Sequence, residues 1–260
     1  MKYAKFFRNH PVFTSEEFRK FMNGKGRVGE RTLESVLAYH IKAGHIVKVR
    51  RGLYASAEGV SLFPIASRVV KDAVLAYHTA LEFHGYAYSL WRLYLYSSAN
   101  PTAPFRFRGY DFKGVMFPKA LRDAGLETFG VVTEKRQGVD VRVTGLERTL
   151  VDVFDRPDLS GGWEEIWRSL ETVEFLDLDK VVEYAALLGN ATTAAKVGLF
   201  LEQHRKMFRV KEPHLRALFG LKPKKPHYME RSLRQAGRFV ARWNLIVPED
   251  VLERRWEEVL

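Results

Sequence analysis

The chain has 260 residues, 46% of them hydrophobic and 13% aromatic, which is enough to bury a core and excludes disorder as the main state. It has no cysteine, so disulfides, thiolate zinc sites, iron–sulfur clusters and cysteine nucleophiles are excluded together. The formal charge is +11 and unevenly spread: residues 1–59 carry 12 Lys+Arg against 5 Asp+Glu, residues 60–202 carry 16 against 19, and residues 203–242 carry 12 against 2. Clustered cations point to a polyanionic partner, nucleic acid above all. No export signal opens the sequence and no apolar run nears the roughly 18 residues that span a bilayer, so the expectation is a cytoplasmic protein without membrane contact.

In chain order, Tyr3, Phe6 and Phe7 share one face of a short helix that Pro11 ends. Thr14 and Glu17 have capping-box spacing, which predicts a helix from Ser15 to Met22. The glycine-rich turn 23–29 follows. Leu33, Val36, Leu37, His40 and Ile41 recur at helical spacing and predict a third helix over 30–43, stopped by Gly44. Residues 45–49, 50–52 and 53–55 read as strand, tight turn and strand. This is the order of a winged helix-turn-helix.

If the apolar face of the third helix packs inward, Arg31, Thr32, Ser35, Tyr39 and Lys42 point outward. A recognition helix enters the major groove with its first turns on base edges, so Arg31, Thr32 and Ser35 are the expected base readers and Tyr39 follows them. Arg27 and Lys42 are expected on phosphates, and Lys48, Arg50 and Arg51 at the wing. Glu34 is out of place on this face unless Arg31 or Lys42 pairs with it. Gly24, Gly26 and Gly29 also satisfy a dinucleotide-binding pattern, but an amphipathic helix precedes them where that fingerprint needs a buried strand.

Beyond a linker over 56–59, the expected second domain spans 60–260. A helix is predicted over 72–84, then strands at 92–97, 105–108, 114–118, 129–134 and 139–143. Capping-box spacing at Thr144 and Glu147 predicts a helix to Phe154, and further helices are read at 163–175, 179–189 and 191–206. Trp243–Val247 and 248–260 read as a closing strand and helix. The fold class is α+β: an N-terminal winged helix-turn-helix, then a larger domain with a mainly antiparallel sheet and a C-terminal helical part.

Four stretches, in this order, resemble AbiEi-type antitoxins: Val49-Arg-Arg-Gly-Leu-Tyr54, Tyr77-His-Thr-Ala-Leu-Glu-Phe-His-Gly85, the run from Thr144 to Gly162 containing Asp155-Arg-Pro-Asp158, and Gly237-Arg-Phe-Val-Ala-Arg-Trp243. These are regulators of type IV, abortive-infection toxin–antitoxin systems. The resemblance implies a repressor that binds inverted repeats in its own operator, a C-terminal domain that takes part in antitoxicity, and a nucleotidyltransferase toxin as partner without need of a stable complex.

Enzyme signatures are missing: no G-x-S-x-G, no phosphate-binding loop, no H-E-x-x-H. His78 and His84 lie about 240° apart around a helix and cannot share a metal, and His78 is expected to pack or to pair with Glu82. Asp152, Asp155, Asp158, Arg148 and Arg156 are read as structural ion pairs, with Asp158 or Ser160 capping the next helix. The expectation is a protein that is not an enzyme, with no cofactor and no metal. The alternative is a nuclease or nucleotidyltransferase-accessory enzyme that the winged helix delivers to DNA. Lys222, Lys224, Lys225, Arg231, Arg234 and Arg238 form a possible second basic surface, for DNA, for the toxin or its tRNA substrate, or for solvent alone.

Overall fold

The computed structural model describes residues 3–24, 28–57, 59–230, 237–254 and 256. The fold is mixed α+β with several sheets and a helical C-terminal part. It divides into two compact units, each assembled from separate stretches of chain. The first holds residues 1–75, 91–116 and 132–143, and the second holds 76–90, 117–131 and 144–260. The boundary expected between residues 59 and 60 therefore falls inside the first unit.

The first unit begins with three helices, α1 (Ala4–Asn9), α2 (Ser15–Asn23) and α3 (Glu30–Lys42), and a three-stranded sheet of β1 (Val12–Thr14), β2 (Ile46–Arg50) and β3 (Leu53–Ser56) in the order β1-β3-β2. α2 starts at a true capping box: Thr14 Oγ1 accepts from the Glu17 amide at 3.2 Å, and the Glu17 carboxylate accepts from the Thr14 amide at 2.7 Å. The core beneath the helices is aromatic, with Phe6, Phe7, Phe13, Phe18 and Tyr54 buried around Leu33, Leu37 and Ile46. Ile41, expected on that apolar face, is exposed at the helix end.

The same unit contains a short helix, α4 (Leu62–Ala66), and a six-stranded sheet of β4 (Val74–Leu75), β5 (Leu93–Ser98), β6 (Phe105–Phe107), β7 (Tyr110–Met116), β8 (Val131–Arg136) and β9 (Val139–Thr144), in the order β6-β7-β5-β4-β9-β8. β5 pairs with β7 and β4 with β9 in parallel, whereas β4–β5 and β6–β7 are antiparallel. The sheet is mixed, where a mainly antiparallel one was expected. Part of the difference lies in the segment predicted to open a helix at residue 72: Val74–Leu75 is strand β4, and the helix begins only at His78. The segment's apolar run Ala73-Val-Leu-Ala76 is wholly buried, and a short run of that kind fits a central strand as well as a helix. Asp72 anchors its start by accepting from Ser98 Oγ and the Ala99 amide, both at 2.7 Å.

The β6–β7 hairpin turns on Arg108 (φ 50°) and Gly109 (φ 80°), the two left-handed positions of a type I′ turn. A non-glycine residue there costs about 1–2 kcal/mol. Arg108 offsets this by donating to Ala57 O at 2.8 Å and lying over the Phe107 ring, 5.2 Å from its centroid. The β8–β9 tip repeats the device, with Gln137 (φ 50°) accepting from the Ser61 amide at 2.7 Å and donating to Gly59 O at 2.8 Å. The stretch expected to be a linker is thus held at both ends by hairpin tips.

The second unit is mainly helical, with α5 (His78–His84), α6 (Lys119–Ala124), α7 (Leu146–Asp155), α8 (Gly162–Leu170), α9 (Leu178–Leu188), α10 (Ala191–Gln203), α11 (Glu212–Leu221) and α12 (Glu249–Glu253). A small sheet of β10 (His227–Tyr228), β11 (Arg238–Val240) and β12 (Leu245–Val247) accompanies them. Trp167, Tyr184, Phe154, Phe200 and Trp243 fill its core. The expected capping box at Thr144 and Glu147 is not formed. Thr144 Oγ1 lies 2.7 Å from Thr149 Oγ1, and Glu147 instead accepts from the Asp177 amide at 3.1 Å. Neither Asp158 nor Ser160 caps α8, whose first position follows Gly161 at φ 84°. No helix among the described residues is long and apolar enough to cross a membrane.

Candidate nucleic-acid interface

α3 presents one outward face. Arg31, Thr32, Ser35, Tyr39 and Lys42 are all exposed, Tyr39 by 65%, while Leu33, Leu37 and His40 turn into the core. The Ser35 hydroxyl donates to Arg31 O at 2.8 Å, so it offers an acceptor outward. Glu34 is exposed on the same helix, and its charge adds to burial in raising the Tyr54 phenol above its ordinary range. Arg27 lies outside the described residues.

The inner side of α3 is fixed by a histidine pair. His40, 2% exposed, places Nδ1 3.1 Å from His45 Nδ1, and the His45 amide donates to His40 O at 2.9 Å. Burial, helped by His45, lowers the pKa of His40, so the neutral ring is favoured. Tyr3, Phe7 and Tyr39 surround that ring edge-on.

The hairpin of β2 and β3 differs from the expectation at one position. Lys48 and Arg51 are exposed, but Arg50 is turned onto the six-stranded sheet. Its Nη1 donates to Thr102 Oγ1 at 2.5 Å, and the guanidinium lies 5.3 Å from the Phe105 ring centroid. Arg50 is thus half-buried and tied to the sheet, and does not stand exposed beside Lys48 and Arg51. A second tie joins Glu17 to Arg68 in an ion pair. Burial alone would raise the Glu17 carboxyl, but the Thr14 amide and the Arg68 guanidinium outweigh it and hold the pKa low. Sequence reasoning could not see these ties, because the partners lie about fifty residues apart.

The possible second basic surface belongs to the second unit and is partly neutralised. Lys222 donates to Arg242 O at 2.5 Å and sits 3.9 Å from the Phe219 ring centroid, Arg205 pairs with Glu212 at 2.9 Å, and Arg242 pairs with Glu202 at 3.1 Å. Lys224, Lys225 and Arg238 are exposed. Arg231 and Arg234 lie outside the described residues.

The acidic cluster is built from internal ties. Arg156 makes a two-pronged contact with Asp158 at 2.9 and 2.8 Å, and Asp155 accepts from Asn190 and Thr193 at 2.8 Å each. Arg148 and Asp152, 1% and 2% exposed, pair at 3.2 Å, and the Tyr184 hydroxyl donates to Asp152 at 2.6 Å. Burial raises the Asp152 carboxyl against the pull of Arg148 and Tyr184. A cavity of about 1050 Å3 lies beside this cluster, lined in part by Asp155, Arg156, Trp163 and Lys196, with Lys196 donating to Phe154 O at 3.0 Å. His78 meets Glu165 at 3.1 Å and Glu82 at 4.0 Å. Among the described residues no group of three or more His, Asp or Glu is arranged to hold a metal ion.

The structural division also sorts the charge. The first unit carries 21 Lys+Arg against 9 Asp+Glu, a net of +12, and the second carries 21 against 22, a net of −1. The acidic middle seen along the sequence is therefore split, its strands joining the basic unit and all its helices but the one at Leu62–Ala66 joining the other.

The fold and this charge division define an α+β protein with one strongly basic unit. No protein-family profile matches the sequence, and no curated protein matches it. A solved structure is similar: the Rv2827c protein from Mycobacterium tuberculosis, with a TM-score of 0.61, 15% identity, and coverage of 96% of this chain and 92% of that one. At that identity the likeness concerns the fold alone.

Proposed function

We propose that the chain is a duplex-DNA-binding transcriptional repressor whose first three helices and β2–β3 hairpin act as a winged helix-turn-helix, with α3 as the recognition helix. The observation that carries this reading is the outward face of α3: Arg31, Thr32, Ser35, Tyr39 and Lys42 stand exposed together on a helix whose other side is locked into an aromatic core. Arg31 and Thr32 in the first turn have the chemistry to read base edges, and Lys42 and Arg51 to neutralise phosphates. The net +12 of the unit that contains them supplies the long-range attraction.

The sequence resemblance to AbiEi-type antitoxins extends the proposal to an operon-encoded regulator acting on inverted repeats, with the second unit serving antitoxicity toward a nucleotidyltransferase. The reading is non-enzymatic. It is tested by incubating the purified protein with DNA from upstream of its own coding sequence, with and without magnesium. The expected result is a salt-sensitive mobility shift with intact strands in both arms. Strand cleavage in the magnesium arm would replace the repressor with a nuclease.

A further inference from the structure

The proposed reading places recognition on α3, yet the positive charge of the first unit does not end with the three-helix head. Residues 91–116, which supply β5, β6 and β7, carry four cations against the single carboxylate of Asp111. Arg92, Arg106, Arg108 and Lys113 are all exposed. Asp111 approaches Arg106 only to 3.9 Å, with both side chains more than half exposed, so it neutralises little. β6 is the edge of the six-stranded sheet, and no further strand covers its outer side among the described residues.

These cations are also fixed relative to the head. Arg50 is bonded to Thr102 and stacked on Phe105, Glu17 is paired with Arg68, and Arg108 is bonded to Ala57 at the end of β3. Arg108 keeps that bond from a left-handed backbone position usually given to asparagine or glycine. Such strain persists only where the surroundings over-determine it. The head cannot turn independently of the hairpin while these ties hold, so a duplex engaged by α3 meets the hairpin cations in a set geometry. Preorganised cations bind phosphates without the ordering cost of a flexible tail.

We infer that the β6–β7 hairpin and the bend just before β5 form a second arm of the interface, in which Arg92, Arg106 and Lys113 contact the phosphate backbone of a DNA duplex beyond the site read by α3. Arg50 and Arg108 act as positioning residues that hold this arm against the head. The arm reads no bases. Its contribution is affinity, salt dependence and a longer footprint.

This inference rests on the proposed reading of α3, and the test separates the two. Full-length wild type and R92A/R106A/K113A are titrated with a short duplex limited to the α3 site and with one extended at both ends, over a range of salt. The wild type is expected to bind the long duplex more tightly, with a steeper dependence of log K on log salt. The triple variant should lose that advantage, its slope flattening by about 0.9 for each cation removed, with unchanged base preference and melting temperature. R92K/R106K/K113R, which keeps the charge, should restore the slope. A triple variant with wild-type slope and affinity on the long duplex overturns the second arm alone. Failure of the wild type to bind either duplex overturns the reading of α3 and this inference with it.

Discussion

Arg50 and Thr102, fifty-two residues apart, are joined by a 2.5 Å hydrogen bond that fastens the β2–β3 hairpin to the six-stranded sheet, while the adjacent Arg51 is exposed. Under the proposed reading the neighbouring arginines have separate tasks. Arg50→Ala removes a charged hydrogen bond and a contact with Phe105, and should cost about 1–3 kcal/mol, read as a lower melting temperature. Arg51→Ala should leave the melting temperature unchanged and weaken binding to all duplexes alike. Equal melting temperatures for the two variants would contradict this division.

The head should loosen in mild acid. His40 has a pKa below its ordinary 6.5, so its contribution to stability is present above about that value and is lost as pH falls into the window beneath it. Glu17, held below 4.5, contributes above that value, and its share is lost as pH drops further. Unfolding free energy measured by urea titration should therefore fall between pH 7 and pH 5. His40→Phe, which cannot take a proton, should flatten the first part of that decline.

In the second unit, Asp152 holds the buried Arg148 and receives the Tyr184 hydroxyl. Asp152→Ala leaves a buried guanidinium without its anion and should cost about 3–5 kcal/mol. Tyr184→Phe removes one hydrogen bond to a charged group and should cost about 1.5–3 kcal/mol. Urea denaturation of both variants checks the order, and a larger loss in Tyr184→Phe would show that the ion pair is not the keystone.

Gly198 sits in α10 where an added Cβ would lie 2.3 Å from the Trp243 ring. Trp243 is fully buried and its indole N–H donates to Glu202 at 2.7 Å, so it has no free direction in which to move. Gly198→Ala should destabilise by about 1–3 kcal/mol despite the better helix propensity of alanine, measured by thermal melting. The same substitution at Gly220, with open space around it, should be neutral or stabilising.

What the sequence discloses is local. The capping box at Thr14 and Glu17 and the inward stripe of α3 are written in spacings of three and four residues; the box forms as expected, and so does the stripe except at Ile41, which is exposed. The α+β class and the order of the helices α8, α9 and α10 follow from the same periodicities. Contacts between distant segments leave no such mark. The insertion of β4 into the sheet, the parallel pairing of β5 with β7 and the tie of Arg50 to Thr102 all depend on partners brought from elsewhere. α11 does have a signal in Leu215 and Leu218, buried three residues apart, with Pro213 in its first turn. There the dense positive charge of residues 203–242 masked an amphipathic helix.

The central claim is that α3 reads bases through Arg31. Its most direct test is fluorescence anisotropy of wild type and Arg31→Ala on the upstream duplex and on a scrambled duplex of equal length, at one salt concentration. The wild type should prefer the upstream duplex, and Arg31→Ala should lose about 1–3 kcal/mol of that preference while binding the scrambled duplex almost unchanged. Equal wild-type affinity for both duplexes, or a preference untouched by Arg31→Ala, would contradict the account.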